Sequence, residues 1–275
     1  MSDQGDPLAR IAAALERLAG GASTATNWAN GPAFVWGQSG ARPAQRFTAP
    51  ALDLLRGIDA QKAVVSGNVQ RLAAGHAAHD MLLWGARGMG KSALIRASTI
   101  AAQTTNPNAL ALVQVAPDAL SSLPTLFDQL GRVQRRFLVY VDDLGFAEGD
   151  SEGPRALRSW LEGGVDARPA NVRLAVTANR RAIVPRHASE QDDPINPRDA
   201  VDDKLALADR FGLSVGFHAC SQDDYLAIVG GYCADLGLAF EQGEALEWAK
   251  RRGARSGRVA WQFVTELAGR AGRSL

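Results

Sequence analysis

Eight consecutive residues, Gly85-Ala86-Arg87-Gly88-Met89-Gly90-Lys91-Ser92, spell G-x-x-x-x-G-K-[ST], a spacing suited to holding a phosphate chain. The glycines let the backbone wrap an anion. Amides of a helix opening at Lys91, Ser92 and Ala93 would point at a β-phosphate, where the helix dipole also favours negative charge. Lys91, one of only four lysines in the chain, would reach the β- and γ-phosphates, and Ser92 would ligate a magnesium ion. Strand-like residues 81–84 precede the loop and helix-favouring Ala93-Leu94-Ile95-Arg96-Ala97 follows it, which is the context the pattern requires.

About fifty residues on, Phe137-Leu138-Val139-Tyr140-Val141 ends in Asp142 and Asp143. Asp142 would hold the metal through water. Asp143 stands where a carboxylate within one water of a γ-phosphate would polarise the attacking water. Asn179, closing the apolar run 172–178, could orient that water or touch the γ-phosphate, with Thr177 the nearest competitor for the role. Arg210 ends a helical pattern beside Asp209 and Phe211. It is either a partner for the helix dipole or a permanently charged planar group aimed at a γ-phosphate.

These residues need a scaffold. Apolar runs at 81–84, 110–115, 137–141, 172–177 and 213–217 alternate with helical patterns at 91–103, 123–134, 154–161 and 201–210. Continuous apolar strands separated by helices imply a parallel sheet covered on both faces. From Ser221 onward strand patterns stop, and three helices are expected: one capped by Ser221 with Asp224, one over 241–251 and one over 259–270. Before the loop, 52–74 reads as helix, 20–50 as an irregular arm pinned by Trp28, Phe34, Trp36 and Phe47, and 7–18 as a short amphipathic helix.

The chain of 275 residues carries 30 basic and 29 acidic side chains, so its net charge of +1 exerts no global pull on nucleic acid. One local asymmetry exists: from Trp248 onward seven basic residues face the single acid Glu266. It suits either a nucleic-acid patch or one arginine reaching back to a bound nucleotide. No apolar run approaches a membrane span, and no basic region leads into an apolar one at the N-terminus. Two cysteines, Cys220 and Cys233, suit a reducing compartment, and the cytoplasm is expected. His76, His79 and Asp80 lack further ligands nearby and read as a surface turn rather than a metal site.

Together the loop at 85–92, the acids at 142 and 143, Asn179, Arg210 and the helical C-terminus resemble the AAA+ ATPases. The segments 84–92, Asp142-Asp143-Leu144, Glu162-Gly163-Gly164, 177–181 and Asp209-Arg210-Phe211-Gly212 more narrowly resemble a bacterial family of predicted AAA+ ATPases known as a domain of unknown function, over roughly 50–270. The resemblance implies a P-loop α/β fold with a five-stranded parallel sheet flanked by helices and a C-terminal helical lid. Its divisions would be an N-terminal helix and arm at 1–50, a nucleotide-binding domain at 51–219 and a lid at 220–275. It implies ATP and Mg2+ as cofactors, Asn179 as sensor 1, Arg210 as a finger acting on a neighbouring subunit's ATP, and Arg258, in preference to Arg255, as the lid's sensor 2. The family's leader resembles Leu55-Arg56-Gly57-Ile58-Asp59, so Ile58 is expected near the adenine. A homo-oligomeric ATPase that remodels or loads a protein partner is implied; a slow ATP-dependent switch or a nucleic-acid-associated loader is the alternative. Two departures matter: Asp-Asp replaces the usual Asp-Glu pair, which weakens the case for rapid hydrolysis, and 116–123 lacks the aromatic-Gly pore loop of unfoldases.

Overall fold

The computed structural model describes residues 26–145, 157, 161, 168–179 and 209–275. In chain order a hairpin of β1 (Ala33–Gly37) and β2 (Gly40–Pro43) leads through a first 3-10 turn, Leu52–Leu54, into α1 (Asp59–Ala73), and a second 3-10 segment, Pro117–Ser122, lies further along the chain. Then follow β3 (Met81–Gly85), α2 (Lys91–Thr105), β4 (Leu110–Val115), α3 (Leu123–Gly131), β5 (Arg136–Val141), β6 (Val172–Ala178) and β7 (Leu213–Phe217). Helices α4 (Gln222–Asp235), α5 (Gln242–Arg251) and α6 (Gly257–Arg270) complete the described chain. The helices expected at 7–18, at 154–161 apart from Leu157 and Leu161, and at 201–208 lie outside the described residues.

Among the described residues seven strands form one sheet in the order β2-β1-β4-β5-β6-β3-β7, parallel except for the β1–β2 pair. Leu138 and Tyr140 enter one core, shared with α1, α2 and the lid helices, while Phe137, Val139 and Val141 enter the other, shared with α3. Burial on both faces is why each run is continuously apolar instead of alternating. Helix α3 buries Leu123, Leu126, Phe127 and Leu130, the spacing of a single apolar stripe.

The expected five parallel strands are present, but the sheet has seven, and the irregular arm read at 20–50 is corrected over 33–43. There Ala33-Phe34-Val35-Trp36 pairs in parallel with Leu112 to Val115, and a two-residue turn returns the chain as β2. Trp36 Nε1 donates to Ser122 Oγ at 2.8 Å, and Trp28 packs its ring on Phe34 and edge-on against Phe137. Burial of Phe34 alone contributes about 1.5–3 kcal/mol. Phe34 and Trp36 thus sit in a strand, while Trp28 and Phe47 lie in irregular chain on either side of the hairpin.

The lid helices start where their caps demand. Ser221 Oγ accepts from the Asp224 amide at 3.0 Å while Asp224 reaches back to the Ser221 amide, closing the capping box. Ser256 Oγ accepts from the Val259 amide and caps α6, whose buried face is Val259, Ala260, Phe263, Val264 and Ala268. Among the described residues no helix is long and apolar enough to cross a membrane.

Cys220 and Cys233 are both buried free thiols. Burial, reinforced by Asp224 and opposed by Arg255, pushes the Cys220 thiol up to about 11 from 9.0. The unfolded chain ionises first, so this contribution to stability is whole below pH 9.0 and is lost as pH rises through the window up to about 11. A water-soluble thiol reagent at pH 8 is expected to label the native protein at least roughly tenfold more slowly than the denatured chain; equal rates would contradict the burial.

Candidate functional site

The sheet order brings the chemistry together. Strand β6 lies between β5 and β3, so the C-terminal ends of β5 and β6 stand beside the loop that leaves β3. Open α/β sheets bind ligands at such carboxyl ends. A cleft of about 530 Å³ opens there, lined by the loop from Arg87 through Ala93, the acids at 142 and 143, the end of β6, the leader around Ile58 and the lid.

The loop's shape depends on three glycines at positive φ, Gly85, Gly88 and Gly90, where side chains are disfavoured. A Cβ on Gly85 would lie 2.0 Å from Phe217 O, and one on Gly88 would lie 2.8 Å from Ser256 Oγ. Gly88 therefore serves two purposes, turning the loop and admitting the lid: its carbonyl accepts from the Arg258 amide at 3.2 Å. Gly90 sits immediately before α2, so the first-turn amides of Lys91, Ser92 and Ala93 face the cleft end.

Lys91 is only 7% exposed and donates to Gly85 O at 2.8 Å and Ala86 O at 2.9 Å. Burial holds its pKa below the usual 10.5, against the raising fields of Asp143 and Asp142 and with those of Arg87 and Arg258. Ser92 Oγ and Thr177 Oγ1 each donate to Asp142 Oδ1 at 2.7 Å. Burial alone would raise the Asp142 carboxyl, but Tyr140, Thr177, Ser92 and the Arg96 charge outweigh it and hold the group below 3.8. The buried Tyr140 hydroxyl lacks a partner of full hydrogen-bond geometry among the described residues, yet lies near enough to Asp142 to be pushed far above 10.0, first by burial and then by that charge.

Asp143 is the one non-glycine among the described residues with a positive φ, 52°. Aspartate tolerates this conformation better than most residues, and functional sites commonly store such strain. Thr177 supports the turn twice, its hydroxyl accepting from the Asp143 amide at 2.8 Å and its carbonyl from the Leu144 amide at 2.7 Å. Asn179 Nδ2 donates to Asp143 Oδ1, and Arg87 Nη2 lies 3.9 Å from Asp143 Oδ2.

Ile58 and Arg258 both line the cleft; Arg255 does not, and neither does Arg210 within its own chain. Thr177 turns out to join the two acids, which its position as the polar end of an apolar strand hinted at. Arg96 had no sequence signal beyond its charge, yet it lines the cleft and donates to Ser92 O and Thr48 O. Asp80 is a structural group: it pairs with Arg168 and accepts from the Leu174 amide at 2.7 Å. Much of the basic C-terminus is engaged inside the lid. Arg270 meets Glu244 and Glu266, Arg251 meets Glu247, Arg252 stacks 3.6 Å over the Trp248 ring, and Arg273 donates to Leu236 O.

The fold that holds this cleft is that of P-loop NTPases of AAA+ type. Structures similar to it include a RuvB variant from Thermotoga maritima, at 17% identity and TM-score 0.54, covering 83% of this chain and 68% of that one. Another Thermotoga maritima RuvB, described as a Holliday junction branch migration motor, is 16% identical with TM-score 0.52 and the same coverage. The Aeropyrum pernix ORC2 protein, solved as ADPNP and ADP complexes, is 15% identical with TM-score 0.54, covering 84% of this chain and 66% of that one. Residues 29–271 match the family described as protein of unknown function, DUF815, and the chain belongs to that family. No curated protein matches the chain.

Proposed function

We propose that the chain binds ATP with Mg2+ in this cleft and hydrolyses it to ADP and phosphate, as one protomer of a homo-oligomer that acts on a protein partner. The reading rests above all on the connected set Ser92, Asp142, Thr177, Asp143 and Asn179, which faces the Lys91 loop across the cleft. The phosphate chain lies along the loop amides, with Lys91 turning from the Gly85 and Ala86 carbonyls to the β- and γ-oxygens and Ile58 against the base. Ser92 Oγ and the Asp142 carboxylate are hard oxygen groups backed by a buried hydroxyl and fit a magnesium ion, which Ser92 would ligate and Asp142 would hold through water. When bound, the ion neutralises phosphate charge.

Asp143 accepts a proton from the attacking water while Asn179 orients it; water oxygen bonds to the γ-phosphorus and the bond to the β-bridging oxygen breaks. Arg258 contacts the nucleotide from the lid, with the nucleotide-binding domain taken as 51–219 and the lid as 220–275. Arg210 acts on a neighbour's ATP, which is why assembly belongs to the proposal. Engagement of the lid arginines with Glu244, Glu247 and Glu266 favours a protein partner over nucleic acid. Free buried thiols suit the cytoplasm.

One observation favours a slower ATP-dependent switch: both Asp143 oxygens already have a partner, Asn179 or Arg87. Steady-state phosphate release separates the readings. Arg210→Ala is expected to lower turnover at least roughly a hundredfold with ATP affinity unchanged. Turnover indifferent to this substitution removes the finger, and with it the argument for assembly.

A further inference from the structure

The leader and the lid meet in a contact that the catalytic roles leave unexplained. Helix α4 carries a glycine pair, Gly230-Gly231, in its interior, although glycine is among the least favourable residues there. Gly231 is buried, and a Cβ added to it would lie 2.5 Å from Arg56 Nε and 3.0 Å from Arg56 Cδ. The Arg56 side chain therefore rests on bare helix backbone. Next to it Gly57 has φ +74°, and a Cβ added there would lie 3.3 Å from the Asp224 side chain. Arg56 lines the cleft together with Ile58, Ile228, Tyr232 and Trp261, the last 42% exposed and edge-on to Tyr232 at 5.1 Å.

These walls are apolar and aromatic, with Arg56 among them, and Ile58 reaches the phosphate loop, where a Cβ on Gly90 would lie 3.6 Å from its Cδ1. We infer that Arg56 is a base-recognition residue: its planar guanidinium, seated by Gly231, lies against the heteroaromatic base of the nucleotide and ties base occupancy to lid position. The physics is that of a planar cation on an aromatic face, with N–H donors available to ring nitrogens at its edge. Gly231 is kept at a helix-interior position because any side chain there lifts Arg56 off its seat.

The inference rests on the ATP reading, and titration calorimetry with ATP and, separately, with inorganic tripolyphosphate in one Mg2+ buffer distinguishes their failures. Arg56→Ala is expected to weaken ATP roughly tenfold while leaving tripolyphosphate unchanged. Gly231→Ala is expected to weaken ATP in the same base-dependent way with a melting temperature equal to or above wild type, since alanine favours the helix. Binding and stability then move in opposite directions, which loss of folding cannot produce. Equal losses for both ligands in Arg56→Ala make it a phosphate or folding residue and overturn the inference, as does no loss at all. A Gly231→Ala protein that binds ATP like wild type overturns the seat. If wild type binds neither ligand, the ATP reading itself falls, and Arg56 with it.

Discussion

Asp143→Asn is expected to keep ATP in the cleft while slowing phosphate release by roughly two to four orders of magnitude, the range spanned by general acid–base catalysis. The substitution replaces one carboxylate oxygen by an NH2 group, giving an amide of the same shape. Asparagine accepts a φ of 52° as readily as aspartate does, so the turn after β5 is retained, along with the Thr177 hydroxyl bond to the residue 143 amide. What disappears is the negative charge that takes a proton from water. Asn179 can still donate to the amide oxygen, whereas Arg87, 3.9 Å from the second oxygen, loses its ionic partner. That pair is exposed and contributes little to stability, so the melting temperature is expected to stay close to wild type. Single-turnover phosphate release checks the prediction: turnover equal to wild type removes Asp143 from catalysis, and a parallel loss of ATP affinity makes it a binding residue.

Lys91→Ala is expected to weaken ATP binding roughly a hundredfold, the equivalent of about 2.7 kcal/mol and within the worth of a charge-assisted hydrogen bond to phosphate. Stability should change much less, because two effects oppose each other. Removing the side chain leaves the Gly85 and Ala86 carbonyls without their donor, which costs about 1–3 kcal/mol if water cannot replace it. The same change removes an ammonium that burial disfavours, as its lowered pKa records. Calorimetric titration beside a thermal melt reads both. An unchanged affinity would mean that phosphate does not lie on the loop, and Lys91→Met, which keeps the stem without the charge, tells loss of charge from loss of packing.

The glycine-rich loop between β3 and α2, the five parallel strands and the Ser221 cap were legible because each is encoded over a few adjacent residues. A strand buried on both faces must be apolar throughout, and a capping box needs two polar groups three positions apart. The hairpin at 33–43 was not legible: its strands are four and five residues long, and its parallel partner β4 lies more than seventy residues away. The pairing of the basic C-terminus was not legible for a related reason. Counting charges along the chain omits Glu244 and Glu247, which the fold of α5 brings to Arg270 and Arg251.

The sequence by itself determined that a glycine-rich loop with one lysine would join a strand to a helix, since backbone freedom, helix start and charge there are properties of neighbouring residues. Tertiary structure alone decided that Thr177 would bridge Asp142 and Asp143, that Gly88 would admit Ser256 and Arg258, and that Gly231 would seat Arg56. Those contacts join segments whose separation along the chain carries no periodic trace. They arise where strand order and helix packing bring backbones close enough for a single hydroxyl, or the absence of a single Cβ, to matter.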